Sequence, residues 1–240
     1  NYFGRGDTRA CIESLRGQAV DTLVLVDNSA DRDEETAIRT MAREVEASAP
    51  GFRIEVVCNP EDLGFARAIN AVVAADRSRR QPHGYYLLLN NDAVLPPDAV
   101  AVLLRALRAR PNTAMVSPRI RTDPHCGCWL YYHPALGHIS HRPSRWAFPY
   151  LRGACLLIDA AYVPSGGPFD AAFFFYGEDI LLNWQIRAAG GVAGCVDEVV
   201  VDHIGNASSG RRTPFYEYHL AYGPLLLGRR FAGSAMERGF

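Results

Sequence analysis

The first half of the chain repeats one pattern, a short apolar run followed by a longer stretch with helical spacing, and few architectures accept that alternation. Thr22 to Asp27 (TLVLVD), Arg53 to Cys58 (RIEVVC) and Tyr85 to Leu89 (YYLLL) read as strands, with a short fourth at Ala114 to Ser117. Glu34 to Ser48, Gly64 to Arg77 and Pro97 to Arg110 read as helices, with Pro97 suited to a first helical turn. Strands alternating with helices predict an α/β fold with a mainly parallel central sheet flanked by helices. Ligands of such sheets bind at the carboxyl ends of strands, where loops converge.

The second half has a different grain. Arg119 to Arg152 is aromatic, histidine-rich and punctuated by proline, with no sustained period. Gly153 to Ala160 is strand-like, and Asp179 to Ala189 is helical and stops at Gly190-Gly191. Val192 to Val201 is a further strand, followed by a Gly/Ser-rich loop, Gly205 to Thr213, and an aromatic, leucine-rich helix. The 240 residues show no repeat or long linker, so a single domain is expected, with halves 1–118 and 119–240.

Composition removes several function classes. All 25 basic residues are arginine, which excludes a phosphate-binding loop ending in Gly-Lys and any Schiff-base lysine. A net charge of −1 offers no field for nucleic acid, so none is expected as a partner. The six cysteines form no disulfide framework and read as thiols of a reducing compartment. The longest uncharged stretch, Pro124 to His141, carries two prolines and four histidines and cannot span a membrane. A cytoplasmic protein is expected, at most peripheral on the inner face of the cell membrane. The aromatic, leucine-rich end, Phe215 to Phe231, offers a surface for a second copy of the chain.

Polar clusters sit at the ends of apolar runs: Asp27-Asn28-Ser29, Asn90-Asn91-Asp92, Gly177-Glu178-Asp179 and Asp202-His203. Any one carboxylate there serves equally well as a turn residue or helix cap. Together they suggest a site. Asp92 and His203 offer one oxygen and one nitrogen ligand, a set suited to manganese or magnesium holding a diphosphate. Asp179, after the four aromatics Phe173 to Tyr176, is a candidate general base.

These residues resemble an inverting family-2 glycosyltransferase of the GT-A fold, in the branch of rhamnosyl- and galactofuranosyltransferases. The likeness runs through Asn1-Tyr2, Val24 to Asn28 (VLVDN), Leu63 to Asn70 (LGFARAIN), Leu87 to Asp92 (LLLNND), Gly153 to Ile158, Gly167 to Asp170, Phe175 to Asp179 (FYGED) and Val201 to His203, in order. The resemblance implies a nucleotide-diphospho-sugar donor, a divalent cation, and a glycan, lipid-linked or small-molecule acceptor. It implies that Tyr2, Asp27, Asn70, Asn91 and Asp92 bind the donor, with Asp27 on the nucleobase. It also implies that Asp92 and His203 ligate the metal, that Asp179 deprotonates the acceptor, and that Glu178 supports it. The Asn-Asn-Asp variant is similar to that of enzymes using dTDP-rhamnose, which suggests a dTDP- or UDP-sugar.

The chain departs from the pattern in places. The family's strand before Asn-Tyr is not in the sequence, Phe3 replaces a common asparagine, and Leu181 and Gln185 replace an aspartate and an arginine one helical turn apart. Arg211, beside Arg212 in the Gly/Ser-rich loop, either closes over the diphosphate as a lid or remains in a solvated loop. The His/Cys-rich segment 125–141 lacks zinc-knuckle spacing and reads instead as an acceptor-facing stretch. Residues 119–152 are expected to shape the acceptor site, their arginines and aromatics suiting a glycan or an anionic lipid-linked carrier. Two other functions compete. A sugar-nucleotide pyrophosphorylase would need a glycine-rich opening loop and lysines, and a non-catalytic nucleotide- or glycan-binding module would have no use for Glu178 and Asp179 beside Asp92 and His203.

Overall fold

The computed structural model describes residues 1–49, 51–122, 124–204 and 213–237. Helix α1 (Arg5–Ser14) precedes β1 (Leu23–Asp27), α2 (Arg32–Ser48), β2 (Ile54–Cys58), α3 (Gly64–Arg77) and β3 (Tyr85–Leu89). Next come β4 (Ala93–Val94), α4 (Ala99–Arg108), β5 (Thr113–Thr122), β6 (His125–Gly127), β7 (Trp129–His133), β8 (His138–Ser140) and β9 (Phe148–Leu151). The chain continues through β10 (Cys155–Asp159), α5 (Glu178–Ala188), β11 (Val192–His203) and α6 (Pro214–Glu237). Asp31 starts α2 by accepting from the backbone N–H groups of Asp33 and Glu34.

The α/β class and the flanking helices are as the periodicity predicts, but the strand directions are mixed. β1 pairs in parallel with β2, while the central sheet runs β3-β10-β5-β11-β4, with β6 added to β5. β10 is antiparallel to both β3 and β5, and β11 is parallel to β5. Strands β3, β5 and β11 therefore point the same way, with β10 running back between them. A strand buried on both faces looks the same whichever way it runs, so the apolar pattern could not reveal this. Cys155 and Leu157 pack toward Leu103 and Leu107 of α4, while Leu156 and Ile158 pack toward Val73 of α3 and Leu182 of α5.

The reversal of β10 has a consequence for function. It delivers residues 152–154 to the edge where β3 and β11 end, and Asn90 N–H donates to the Ala154 carbonyl at 3.0 Å. On the far side of β3 a slot lined by Leu23, Leu25, Leu87 and Leu89 separates it from β1. Asn1 sits at one end of the slot, its backbone nitrogen donating to the Val26 carbonyl at 2.5 Å and its carbonyl accepting from Asn28 N–H at 2.9 Å.

Residues 119–152, expected to be irregular, hold the end of β5 and strands β6 to β9. The last three of these form their own sheet in the order β8-β7-β9. Strands of three to five residues broken by proline and turns are too short to establish a period. The small sheet is held by tertiary packing, with Tyr132 and Tyr150 buried against Phe173, Ile180, Leu181 and Leu227. Leu181 thus occupies an apolar cluster, consistent with the exchange of a polar pair for packing.

The thiol reading needs one correction. Cys128 and Cys195 are joined in a disulfide with Cα atoms 5.7 Å apart, whereas Cys11, Cys58, Cys126 and Cys155 are free. The partners lie 67 residues apart, and they meet at β5: Cys195 of β11 pairs with Ser117, whose carbonyl lies 3.7 Å from the sulfur of Cys128, between β6 and β7. The histidines of 125–141 form two pairs, His125 stacked on His141 at 3.8 Å and His133 tilted against His138 at 6.0 Å between ring centroids. Among the described residues the group with metal-ligand spacing is Cys128, Cys195 and Asp197, two of which are spent in the disulfide. No described helix is long and apolar enough to cross a membrane.

Candidate active site

The four aromatics Phe173 to Tyr176 lead into a turn that aims α5. Tyr176 and Gly177 are both left-handed, with φ of 65° and 100°. A Cβ on Gly177 would lie 2.8 Å from the Phe173 ring, so only glycine fits there. The turn places Glu178 and Asp179 in the first turn of α5, where the helix dipole favours negative charge. Asp179 Oδ2 accepts from Gly153 N–H at 3.0 Å and its Oδ1 from Ile180 N–H at 2.8 Å. Glu178 Oε2 is buried without a hydrogen-bond partner.

Both carboxyl groups have proton affinities raised by burial, and Glu178 is raised further by the charge of Asp179. The Gly153 and Ile180 N–H groups and the Arg152 guanidinium act in the opposite sense on Asp179. Asp179 is therefore the first of the pair to ionise, and Glu178 keeps its proton beside it. Two adjacent carboxyls thus take different protonation states, the arrangement an enzyme needs to hold one base in an apolar site.

One turn along α5, Asn183 is fully buried and fastens the helix to β9. Its Oδ1 accepts from Leu151 N–H at 2.9 Å, and its Nδ2 donates to the Leu151 and Asp179 carbonyls at 3.1 and 2.8 Å. Gly153, two residues beyond Leu151, is thereby held against the Asp179 carboxylate.

At the neighbouring strand ends, Asp92 Oδ1 and His203 Nε2 are 3.1 Å apart. His203 Nδ1 lies 3.4 Å from Thr122 Oγ1, and Asn90 Nδ2 is 3.2 Å from Nε2. Metal-ligating histidines are oriented through the nitrogen that does not ligate, and with Nδ1 turned to Thr122 the Nε2 is left to share an ion with the Asp92 carboxylate. Adjacent ligands of an octahedral ion at about 2.1 Å stand roughly 3 Å apart, so the pair fits a shared magnesium or manganese ion.

A third group joins the strand ends through Asn1. Its Nδ2 donates to Asp27 Oδ1 at 2.7 Å and to Glu34 Oε1 at 3.1 Å, while its Oδ1 accepts from Thr8 Oγ1 at 2.9 Å. Thr8 Oγ1 in turn accepts from Asn91 Nδ2 at 2.9 Å. Glu34 is buried and paired with Arg5 at 2.9 Å. This network ties the loop before α1 to the ends of β1 and β3.

A cavity of about 1240 Å³ runs from the slot to these strand ends. Tyr2, Asn28, Asn91, Asp92, Glu178, Asp179 and His203 all line it. Asp27 and Asn70 are not among its lining residues. Asp27 is 1% exposed with Oδ1 committed to Asn1 and Ser29, and Asn70 is turned onto Phe169, bonding its N–H and carbonyl at 3.1 and 2.6 Å. Their positions at strand end and helix resembled binding residues, but their side chains serve loop anchorage. Arg211 lies outside the described residues.

Sequence reasoning missed Asn1, Arg152, Gly153 and Asn183. For Arg152 a signal existed, a charge at the mouth of the buried run LRGACLLIDA, but at the start of a strand and not at its end.

The sequence profile described as Glycosyl transferase family 2 matches residues 2–155. No curated protein matches the chain. Among solved structures, the mannosyltransferase PcManGT from Pyrobaculum calidifontis, in complex with GDP-Man and Mn2+, is 16% identical with a TM-score of 0.61 over 91% of this chain and 57% of its own. GalNAc-T7 with UDP, GalNAc and Mn2+ is 13% identical with a TM-score of 0.64 over 85% of this chain and 41% of its own. The chain thus spans little more than half of the first and about two fifths of the second. At these identities the likeness is one of fold, the GT-A arrangement of sheet and flanking helices.

Proposed function

The chain belongs to glycosyl transferase family 2, and on that premise we propose that it moves a sugar from a nucleotide-diphosphate donor to an acceptor hydroxyl with inversion at the anomeric carbon. The observation that carries the reading is one cavity lined by a buried carboxylate pair and by Asp92 and His203, 3.1 Å apart. Asp179, ionised ahead of Glu178, takes the proton of the attacking hydroxyl, and Gly153 N–H holds its carboxylate in place. Asp92 and His203 would hold a divalent ion, whose charge offsets that growing on the leaving diphosphate. Asn91, Asn28 and Tyr2 line the donor side of the same cavity. A single displacement needs no nucleophile from the enzyme, and Glu178, neutral beside the base, supports the acceptor.

Both solved neighbours hold Mn2+ beside a nucleotide or nucleotide sugar, which supports a divalent cation here. From the Asn90-Asn91-Asp92 variant we take the donor to be a dTDP- or UDP-sugar, rhamnose among them, in the manner of the rhamnosyl- and galactofuranosyltransferase branch. The acceptor is a glycan, a lipid-linked glycan or a small molecule, and action on a lipid-linked one would seat the protein at the inner face of the membrane. A binding module is the poorer reading, because burying two carboxyls side by side costs stability that binding alone would not select.

Thermal-shift screening of sugar nucleotides with Mn2+, followed by NMR of the anomeric configuration of the product, tests the proposal. Stabilisation by a dTDP- or UDP-sugar and an inverted product are expected. Stabilisation by GDP-mannose alone would refute the donor assignment, and a retained configuration would refute the mechanism.

A further inference from the structure

Arg152 is a cation without a carboxylate partner in a place where one is costly. Its side chain lines the catalytic cavity, its Nε is buried with no hydrogen-bond acceptor, and among the described residues its side-chain hydrogen-bond contact is Nη2 to His141 Nδ1 at 3.5 Å. Among the described residues no carboxylate lies within ion-pair distance of it. Burial holds its proton affinity below the ordinary arginine range, the sign of a guanidinium short of compensation. Asp179 acts on it only at longer range, and that carboxylate is already engaged by the N–H groups of Gly153 and Ile180.

The surroundings form a small pocket wall. His141 also lines the cavity, and His125 stacks on it with centroids 3.8 Å apart. The strand register sets Thr122 opposite His125, so the wall runs from His203 through Thr122, His125 and His141 to Arg152. Arg152 directly precedes Gly153, which contacts the Asp179 carboxylate; both side chains line the same cavity, and the guanidinium charge is felt by that carboxylate. A planar fork of N–H donors suits a carboxylate or phosphate better than a neutral hydroxyl.

We propose that Arg152, flanked by His141, binds a carboxylate or phosphate carried by the acceptor next to the hydroxyl that receives the sugar. This rests on the transferase reading and gives its acceptor a chemical class, an anionic glycan or a glycosyl phosphate. The guanidinium neutralises the acceptor's charge, and the bound oxyanion fixes the direction from which the hydroxyl meets Asp179.

The test is calorimetry on the protein saturated with UDP and Mn2+, which fills the diphosphate site. Glucuronate and inorganic phosphate serve as oxyanion probes and glucose as the neutral control. Wild type should bind one or both probes and bind glucose more weakly. Arg152→Gln should weaken probe binding about 10- to 100-fold, as expected for a lost charge-assisted pair, and leave UDP affinity within about twofold. Arg152→Lys should fall between, having kept charge but lost the fork.

Unchanged UDP affinity in both variants also reports an intact site. UDP binding with no probe binding overturns this inference and leaves the transferase reading standing. An equal loss of UDP and probe affinity in Arg152→Gln makes Arg152 a donor residue and overturns it as well. A variant that only displaces the acid limb of donor hydrolysis, with probe binding intact, reduces Arg152 to tuning Asp179 and has the same effect. Failure of UDP, dTDP and GDP to bind at all with Mn2+ overturns the transferase reading, and this inference with it.

Discussion

The backbone N–H of Gly153 donates to Asp179 Oδ2 at 3.0 Å, joining the approach to β10 to the start of α5. A Cβ on Gly153 would come within 3.3 Å of the Asp179 Cβ, so the close approach depends on a residue with little or no side chain. Asp179→Asn keeps the shape and removes the base. Transfer should fall about 10²- to 10⁴-fold, the usual share of a general base, while calorimetry finds nucleotide affinity within about twofold.

The carboxylate pair sets the pH profile. With both proton affinities raised by burial, the acid limb of kcat/KM should lie above the range of an exposed carboxylate. Glu178→Gln should leave that limb in place, because Glu178 is neutral where Asp179 ionises, whereas Asp179→Asn should abolish it. pH-rate profiles of the three proteins decide the matter.

The same pair lowers stability, and the sign follows from linkage. Glu178 in the unfolded chain ionises near 4.5 but keeps its proton when folded, so the folded state binds more protons above that pH. Stability should then fall as pH rises from about 4.5 until Glu178 ionises in the native protein, and be fully present below it. Glu178→Gln should flatten that slope and raise Tm at pH 7 by about 2–4 °C, measured by differential scanning calorimetry.

Asp92 and His203 should act as a unit. Chelation with EDTA should abolish transfer, with recovery on adding Mn2+. His203→Ala and Asp92→Asn should each raise the Mn2+ concentration needed for half-maximal activity by about 10- to 100-fold. The double variant should be little worse than either one, since either loss breaks the shared site. A simple multiplication of the two effects would mean that they serve separate ions.

Asn183 hydrogen-bonds β9 to α5, and its replacement should cost both stability and geometry. Asn183→Ala leaves the Leu151 N–H and carbonyl buried without that partner, a loss of about 2–5 kcal/mol in urea unfolding. Because Leu151 sits two residues from Gly153, transfer should also fall at temperatures where the variant is fully folded.

The legible part of the fold was the part governed by local pattern. α3 and β3 were read to the residue, because Gly64 to Arg77 has an unbroken helical period and Tyr85 to Leu89 is bounded by turns on both sides. The strands β6 to β9 were not, since their hydrogen bonds link short segments whose spacing carries no period. At the site, Asp92, His203, Glu178 and Asp179 stand out in the sequence because they lie at the ends of apolar runs, and the structure sets all four along one cavity. Asp27 and Asn70 sit at equally suggestive places, and only the tertiary structure shows their side chains bonded to Asn1, Ser29 and Phe169.

The sequence by itself determined the α/β class, the helices and strands of the first half, and the chemical kinds of residue gathered at strand ends, because periodicity and turn chemistry act over a few neighbours. Tertiary structure decided the reversed β10, the Cys128–Cys195 bond, the clamp of Asn183 on Leu151 and the exposure of Arg152 to the cavity. Each of these depends on contacts between segments distant in sequence, where the packing of the whole core, and no local preference, sets which side chains meet.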